Sequence, residues 1–233
     1  MAAVVIPAVP ATSFAPAVVD NVQDSAGDIF ASQTLNVVQN DGLTKAEAYA
    51  TGNHMLGGNT AVDATLYNYQ FARGNISGDV RITGTNTGDE DLSLGTPVYA
   101  ASQGVANYTS WVAKDGDVSA MNTRQVSQGE TVSATTHIES PNNAIYVSGE
   151  GNATAVVNQT SYQVSNGRLD ASSWQASASD AKANVSAVVH YSPSPNAYNA
   201  AATGNYYSSY SDDRGSQEHE THQGQTGDTQ ARS

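Results

Sequence analysis

The sequence predicts an all-β protein, a β-solenoid (β-helix) with flexible termini, built from degenerate strand–turn units of about 16 residues. Short runs of alternating apolar and polar residues recur along the chain. Such alternation places one side of each strand in a core and the other side in water. Turn-forming Gly, Asn and Asp separate these runs. The apolar residues are mostly Ala and Val, with only three Phe and two Trp, so we expect a narrow core.

The unit is clearest between Gly149 and Trp174. A predicted turn at Gly149–Asn152 precedes the alternating run Ala153–Val164, and a second turn follows at Asn166-Gly167. Gly tolerates positive φ, and Asn or Asp do so less readily, which is why these residues are expected to reverse the chain. After Gly167 the pattern begins again, and this restart is what indicates a repeat.

Glycines at related positions recur at fixed intervals, which is the signature of a repeat architecture. Intervals of 16 residues separate Gly42, Gly58 and Gly74, and also Gly151 and Gly167, while 13 residues separate Gly116 and Gly129. With two units in each coil, residues 28–210 would form roughly five or six coils, a rod of about 25–30 Å at ~4.8 Å per coil. Val118, Val156 and Leu169 should then point inward at equivalent positions.

An antiparallel sandwich or barrel is the alternative fold, because it also uses short strands with frequent turns. The solenoid is favoured, since a sandwich requires a bulkier core between its two sheets. Residues 1–27 are predicted to be an apolar Pro/Ala leader, either the remnant of a signal peptide or a flexible segment. Residues 28–210 form the repeat domain, interrupted by an acidic loop at 84–95. Residues 211–233 are predicted to be a polar, disordered tail.

The charge balance excludes several classes of partner. Nine basic residues stand against 22 acidic ones, which gives a net charge of −13. Such a chain is repelled by nucleic acids and by anionic membrane surfaces. The chain has no cysteine, so disulfides and thiolate metal sites are excluded. No stretch approaches the roughly 18 apolar residues of a membrane-spanning segment.

No catalytic, cofactor-binding or metal-binding residue is assigned, and no cofactor is expected. The His/acid cluster Glu218–His222 lacks the spacing of a zinc protease motif and is interpreted as a solvated run. The acidic segment Asn86–Asp91 offers oxygen ligands of the kind Ca²⁺ uses, but it occurs only once. Asp63, Asp79 and Asp170 each follow a turn and could line one face, as a glycan-cleaving β-helix would require. We interpret them instead as solvated acids.

Aromatic side chains on a solenoid face can stack on sugar rings, but tryptophan is more often buried. Trp111 and Trp174 are therefore expected in the core. Tyr206, Tyr207 and Tyr210 are the better candidates for exposed contacts, because they lie in a Ser-rich segment.

The sequence resembles the holdfast-anchor (holdfast attachment) surface proteins of stalked alphaproteobacteria, and more distantly the curli-like repeat subunits. The resemblance covers residues 28–210. The segments that carry it are Ala31–Val37, the two Ala-Thr-Gly-Asn boxes Ala50–Asn53 and Ala202–Asn205, the Gly-x-Val-Ser-Ala turns and the box Val157–Thr160. It implies a β-rich, polymerising protein of the outer cell surface that helps to fix an adhesive polysaccharide, the holdfast, to the cell envelope.

We therefore expect a secreted, non-enzymatic structural protein with the cell surface or outer membrane as its location. Its partners would be further copies of itself, other surface-anchor proteins and adhesive polysaccharide. The uncapped strand edges at both ends of a solenoid favour end-to-end stacking into filaments. Two alternatives stay open, a carbohydrate-active β-helix enzyme (a polysaccharide lyase or hydrolase) and a module of a phage fibre.

Overall fold

The computed structural model describes residues 15–38, 40, 42–84, 97–144, 148–192, 195–212 and 215–233. These residues form β-strands and no helix. The strands, in chain order, are β1 (Ala17–Ser25), β2 (Ile29–Val37), β3 (Thr44–Thr60), β4 (Ala64–Ala72), β5 (Ile76–Gly84), β6 (Val98–Lys114), β7 (Val118–Ser127), β8 (Thr131–Ala144), β9 (Gly149–Ser165), β10 (Leu169–Ser177), β11 (Asp180–Tyr191), β12 (Ala197–Ser211), β13 (Gln217–Gln225) and β14 (Thr229–Arg232).

Successive strands enter three sheets in turn. The first sheet has the order β1-β4-β7-β10-β13, the second β2-β5-β8-β11-β14, and the third β3-β6-β9-β12. All strand pairings among the described residues are parallel. The protein is thus all-β with parallel strands in three sheets, which is consistent with the predicted β-solenoid. The antiparallel alternative is wrong.

Three consecutive strands make one turn of the chain, which we call a coil. Side chains that stack in neighbouring coils are 47 to 55 residues apart. The prediction of two units per coil is therefore wrong, and the described strands form four coils followed by β13 and β14 of a fifth. The cause lies in the third sheet, where strands of 15 to 17 residues span more than one predicted unit. Gly58 lies inside β3, and the predicted turn Gly149–Asn152 lies inside β9.

The turn glycines were expected to adopt positive φ, but the structure shows a different reason for glycine at these positions. At the turns that follow β3, β6 and β9, the left-handed residues are Ala61, Asp115 and Asn166, and none of the described glycines has positive φ. Instead, a Cβ on Gly167 would collide with the carbonyl oxygen of Gly116 in the previous coil. Glycine is required there because the turns of neighbouring coils lie in direct backbone contact.

The core is a file of small and medium apolar side chains enclosed by the three sheets. Val118 and Leu169 are paired in the first sheet and both are buried, which confirms that they occupy equivalent inward positions. Val156 is also buried, but it lies in the third sheet opposite Val105. It therefore belongs to a different wall of the coil, and in that wall its neighbour Val157, fully buried in a core cluster with Ala106, is the residue that packs inward.

The strands extend beyond the predicted repeat region at both ends. β1 begins at Ala17, and β13 and β14 lie within the 211–233 segment, so the prediction of a disordered tail there is corrected. Their backbones pair with β10 and β11, which does not require apolar side chains. Most of the predicted leader and most of the acidic loop at 84–95 lie outside the described residues. The described part of the chain contains no helix of sufficient length and apolarity to span a membrane.

Candidate functional site

A ladder of asparagine side chains runs along the third sheet, which we call the Asn ladder. Its members are Asn53, Asn107, Asn158 and Asn205, one from each coil. The Nδ2 groups of the first three members donate to the Oδ1 of the next asparagine at 2.7 Å. Each also donates to a backbone carbonyl, at Phe71, Val126, Ala176 and Gly224 respectively. The direction of donation is therefore from the first coil towards the last.

A second ladder runs along the first sheet in the opposite direction, which we call the Gln ladder. Its members are Gln23, Gln70, Gln125, Gln175 and Gln223. The Nε2 group of every member after Gln23 donates to the Oε1 of the preceding glutamine, at 2.7 to 2.9 Å. A second donation goes to a backbone carbonyl of the third sheet, at His54, Tyr108, Gln159 and Tyr206 for the first four members.

These ladders place amide groups in the interior of the coils, beside the apolar core. Gln70, Gln125 and Gln175 are fully buried, and a buried amide left without partners costs roughly 1–3 kcal/mol. A slip of one residue between coils would leave several amides unpaired, so the ladders define the stacking register. Sequence reasoning missed them, because an interval of 47 to 55 residues is visible only once the coil length is known. The two ends of the Asn ladder, Asn53 and Asn205, are the last residues of the two Ala-Thr-Gly-Asn boxes.

The stack of coils has an open strand edge at each end, and the two edges differ. β1, β2 and β3 lie at the edge of the first coil, and β13, β14 and β12 lie at the other end. At the first edge, Gln23 donates to His54 but has no preceding glutamine among the described residues. At the other edge, Gln223 donates to Gln175, and its Oε1 lacks the following glutamine that the inner members have. The two ends of the Gln ladder are thus complementary, a donor at one end and an acceptor at the other.

The two tryptophans occupy opposite environments. Trp111 is buried, as predicted, and its Nε1 donates to Asn59 Oδ1 at 2.7 Å. Trp174 was also expected in the core, but it lies on the outer face of the first sheet and is 40% exposed. The guanidinium carbon of Arg124 lies 4.5 Å from the centre of the Trp174 ring, a cation–π contact.

The Ser-rich tyrosines lie on β12. Tyr206 and Tyr210 are exposed, as predicted. Tyr207 is half-buried, with its ring 6.1 Å from that of Tyr162 and 5.8 Å from that of His219. Burial raises the pKa of the Tyr207 phenol, and the contact of its ring with His219 joins the fourth coil to the fifth.

Among the turn acids, Asp63 and the neighbouring Asp117 link successive coils. Asp63 accepts the backbone N–H of Asp117 at 2.9 Å, and Asp117 accepts that of Arg168 at 2.8 Å. Asp170 accepts from Arg168 Nε at 2.9 Å. These acids share one shallow groove, whereas Asp79 lies on the second sheet, where it accepts from a serine hydroxyl. The three acids of the prediction are therefore not brought together.

The Glu218–His222 cluster belongs to the exposed strand β13. His222 Nε2 and Glu220 Oε1 are 2.9 Å apart. Within the described ranges, no group of three His, Cys, Asp or Glu side chains is arranged to hold a metal ion. The acidic segment Asn86–Asp91 lies outside the described residues.

Comparison with known proteins identifies one family. A family model described as holdfast attachment protein D matches residues 38–233. No curated protein and no solved structure matches the chain. The match covers all strands from β3 to β14, including the whole Asn ladder and four of the five members of the Gln ladder, and it indicates a role in holdfast attachment. The chain belongs to the holdfast attachment protein D family.

Proposed function

We propose that this protein is a secreted, non-enzymatic subunit of the cell surface that anchors adhesive polysaccharide to the cell envelope by associating end to end. The observation that supports end-to-end association is the complementarity of the Gln ladder. Inside the molecule, each junction of the ladder joins an Nε2 donor of one coil to an Oε1 acceptor of the previous coil. A junction between copies repeats this bond, from Gln23 of one copy to Gln223 of the next.

The contact has a defined polarity. The first-coil edge of one copy meets the last-coil edge of another, so that β1 pairs with β13 and β2 pairs with β14. This head-to-tail contact is heterologous and does not close on itself, and such contacts generate filaments. The first two sheets have five described strands and the third has four. A copy seated on β13 and β14 therefore leaves one strand position open beyond β12, and the first two sheets carry the contact.

Charge limits association to the ends. At a net charge of −13, the sides of neighbouring filaments repel one another over a Debye length of about 10 Å at 0.1 M salt. Backbone hydrogen bonds at a strand edge act only at contact distance, so the same repulsion weakens them less. The expected assembly is a thin filament.

Electron microscopy and sedimentation of the purified chain test association. Filaments that lengthen with protein concentration are expected, and Gln223→Leu should shorten them while the monomer keeps its β spectrum. Asn122→Leu, an exposed amide in β7 away from both edges, is the control. A chain that stays monomeric at high concentration across salt and pH would contradict the proposal.

Anchoring is tested separately in cells. Cells that lack the protein should release adhesive polysaccharide from their surface, and the intact chain should restore retention. A purified chain that shortens polysaccharides would instead favour the alternative of a carbohydrate-active enzyme.

A further inference from the structure

We propose that a groove beside Trp174, on the outer face of the first sheet, binds the ring of a neutral sugar within a polysaccharide. This inference rests on the proposed anchoring function and names where the polysaccharide is held. The groove has a volume of about 450 Å³ and lies across the last three coils. Its walls come from β7, β10 and β13 and from the turns that follow them.

The groove exists because outward side chains shrink along one row of the sheet. Phe71, Val126, Ala176 and Gly224 are in register on β4, β7, β10 and β13. Each is smaller than the one before, so the surface falls away towards the last coil. A Cβ built on Gly224 would meet no atom within 4 Å. Ala176 and Gly224 form an open floor.

Trp174 forms one wall of this floor. It lies in the neighbouring outward row, two residues before Ala176, and the Arg124 guanidinium packs on its ring at 4.5 Å. This contact holds the indole in place, and 40% of the residue stays exposed. An exposed, fixed indole offers a flat apolar surface beside polar groups, which suits a ligand with an apolar face and a hydroxylated edge.

The opposite wall supplies polar groups for such hydroxyls. Gln128 and Thr226 line it with an amide and a hydroxyl. Arg124 is the single ionised side chain in the lining. The net charge of −13 opposes the approach of a polyanion, and Arg124 repels a cationic sugar at the groove itself. A neutral pyranose, with its C–H face on Trp174 and its hydroxyls on the far wall, fits both constraints.

Titration calorimetry with two neutral probes, cellohexaose and chitohexaose, tests the groove, with hexagalacturonate as an anionic comparison. At least one neutral probe should bind. Trp174→Ala should weaken that binding at least tenfold, and so should Gly224→Leu, which adds a side chain to the floor at a position where a Cβ meets no atom within 4 Å. Tyr210→Ala removes an exposed ring from the third sheet, and Gly27→Leu adds a side chain in open space. Both controls should bind as the unaltered chain does.

Circular dichroism of every variant confirms that the fold is kept, and Gly224→Leu covers the case in which Trp174→Ala does not fold. Absence of binding by both neutral probes, tighter binding of hexagalacturonate, or equal affinity of the groove variants would overturn the proposal. Filament formation without sugar binding would overturn the groove and leave end-to-end association standing. Sugar binding without filaments would overturn end-to-end association and leave the groove standing.

Discussion

Gln125 and Gln175 are joined inside the protein by a hydrogen bond of 2.8 Å, from Gln175 Nε2 to Gln125 Oε1, and both side chains are fully buried. The two residues are 50 positions apart in the sequence. The bond is one step of a ladder that repeats in every coil, so the stability of the stack depends on amides as well as on apolar packing.

Gln125→Glu should therefore be strongly destabilising. The introduced carboxylate can still accept from Gln175 and Thr160, but it cannot donate to Gln70 Oε1 or to the carbonyl of Gln159, and it is a buried charge without a counter-charge. We expect a loss of about 3–5 kcal/mol in the free energy of unfolding at neutral pH. Part of this loss should return in acid, because a protonated carboxyl can donate one hydrogen bond. Chemical denaturation at both pH values measures the effect.

The control for this change is Asn122→Asp, which makes the same chemical replacement on the exposed face of the same strand. It should alter the free energy of unfolding by less than about 0.5 kcal/mol. Equal losses for the two variants would show that the ladder contributes little.

Val157→Asp tests the inward direction of the third sheet. Val157 is fully buried in a core cluster, and Asp at this position would bury an unpaired charge, so we expect a loss of several kcal/mol, on the order of 3–5. Val112→Asp is the matched control, since Val112 is 48% exposed on the outer face of the same sheet. Similar melting temperatures for the two variants would contradict the strand register.

Tyr162 should make the fold sensitive to alkali. Burial raises the pKa of its phenol above the usual value of about 10. Below pH 10 both the folded and the unfolded states carry the proton, and the contribution of this residue is complete. Above pH 10 the unfolded state loses its proton while the folded state keeps it, so stability falls as the pH rises. Denaturation curves between pH 8 and 12 should show this fall, with Tyr162→Phe declining less steeply than Tyr210→Phe.

Blocking one strand edge should shorten the filaments. Ile29 N–H donates to Asn75 O, so the alternate N–H groups of Ser32 and Thr34 point away from β5, towards the open edge. Proline at these two positions removes edge donors and leaves the pairing of β2 with β5 intact. Leu35 is not a suitable position for such a proline, because its N–H faces β5 and not the open edge. Ser32→Ala with Thr34→Ala keeps the donors and should leave filament length unchanged in electron micrographs.

Salt should change how filaments associate with one another. At 1 M salt the Debye length falls to about 3 Å, so the acidic sides no longer repel. We expect side-by-side bundles in micrographs, at unchanged filament length. Filaments that dissociate as salt rises would indicate that ionic contacts, rather than strand edges, join the copies.

The fold class could be predicted because alternation of period two is a local property, and Ile29–Val37 shows it without help from the rest of the chain. The number of strands per coil could not be predicted from such local patterns. Gly57 and Gly58 look like a turn in the sequence, yet they lie inside β3. Position 57 is glycine there because the Trp111 ring occupies the space where its Cβ would stand. That constraint comes from a residue 54 positions away.

The exposure of Trp174 was missed for a related reason. The prediction rested on the usual burial of tryptophan, and the polar neighbours Ser173 and Gln175 agree with it, since they would then face water. Gln175 is instead fully buried in the Gln ladder. The face of β10 that carries Gln175 therefore points inward, and the face that carries Trp174 points outward. The partners that make this possible lie in other coils, and no local pattern reveals them.

The described chain begins in the first coil and ends in the fifth, so a pull on its two ends acts along the stacking direction. Inter-strand hydrogen bonds lie along this direction, and they are loaded one coil at a time rather than all together. Peeling one coil frees about 50 residues, or ~170 Å of slack at ~3.4 Å per residue. Without disulfides to stop it, the molecule would yield by uncoiling, and under a sudden pull it would lengthen before it breaks.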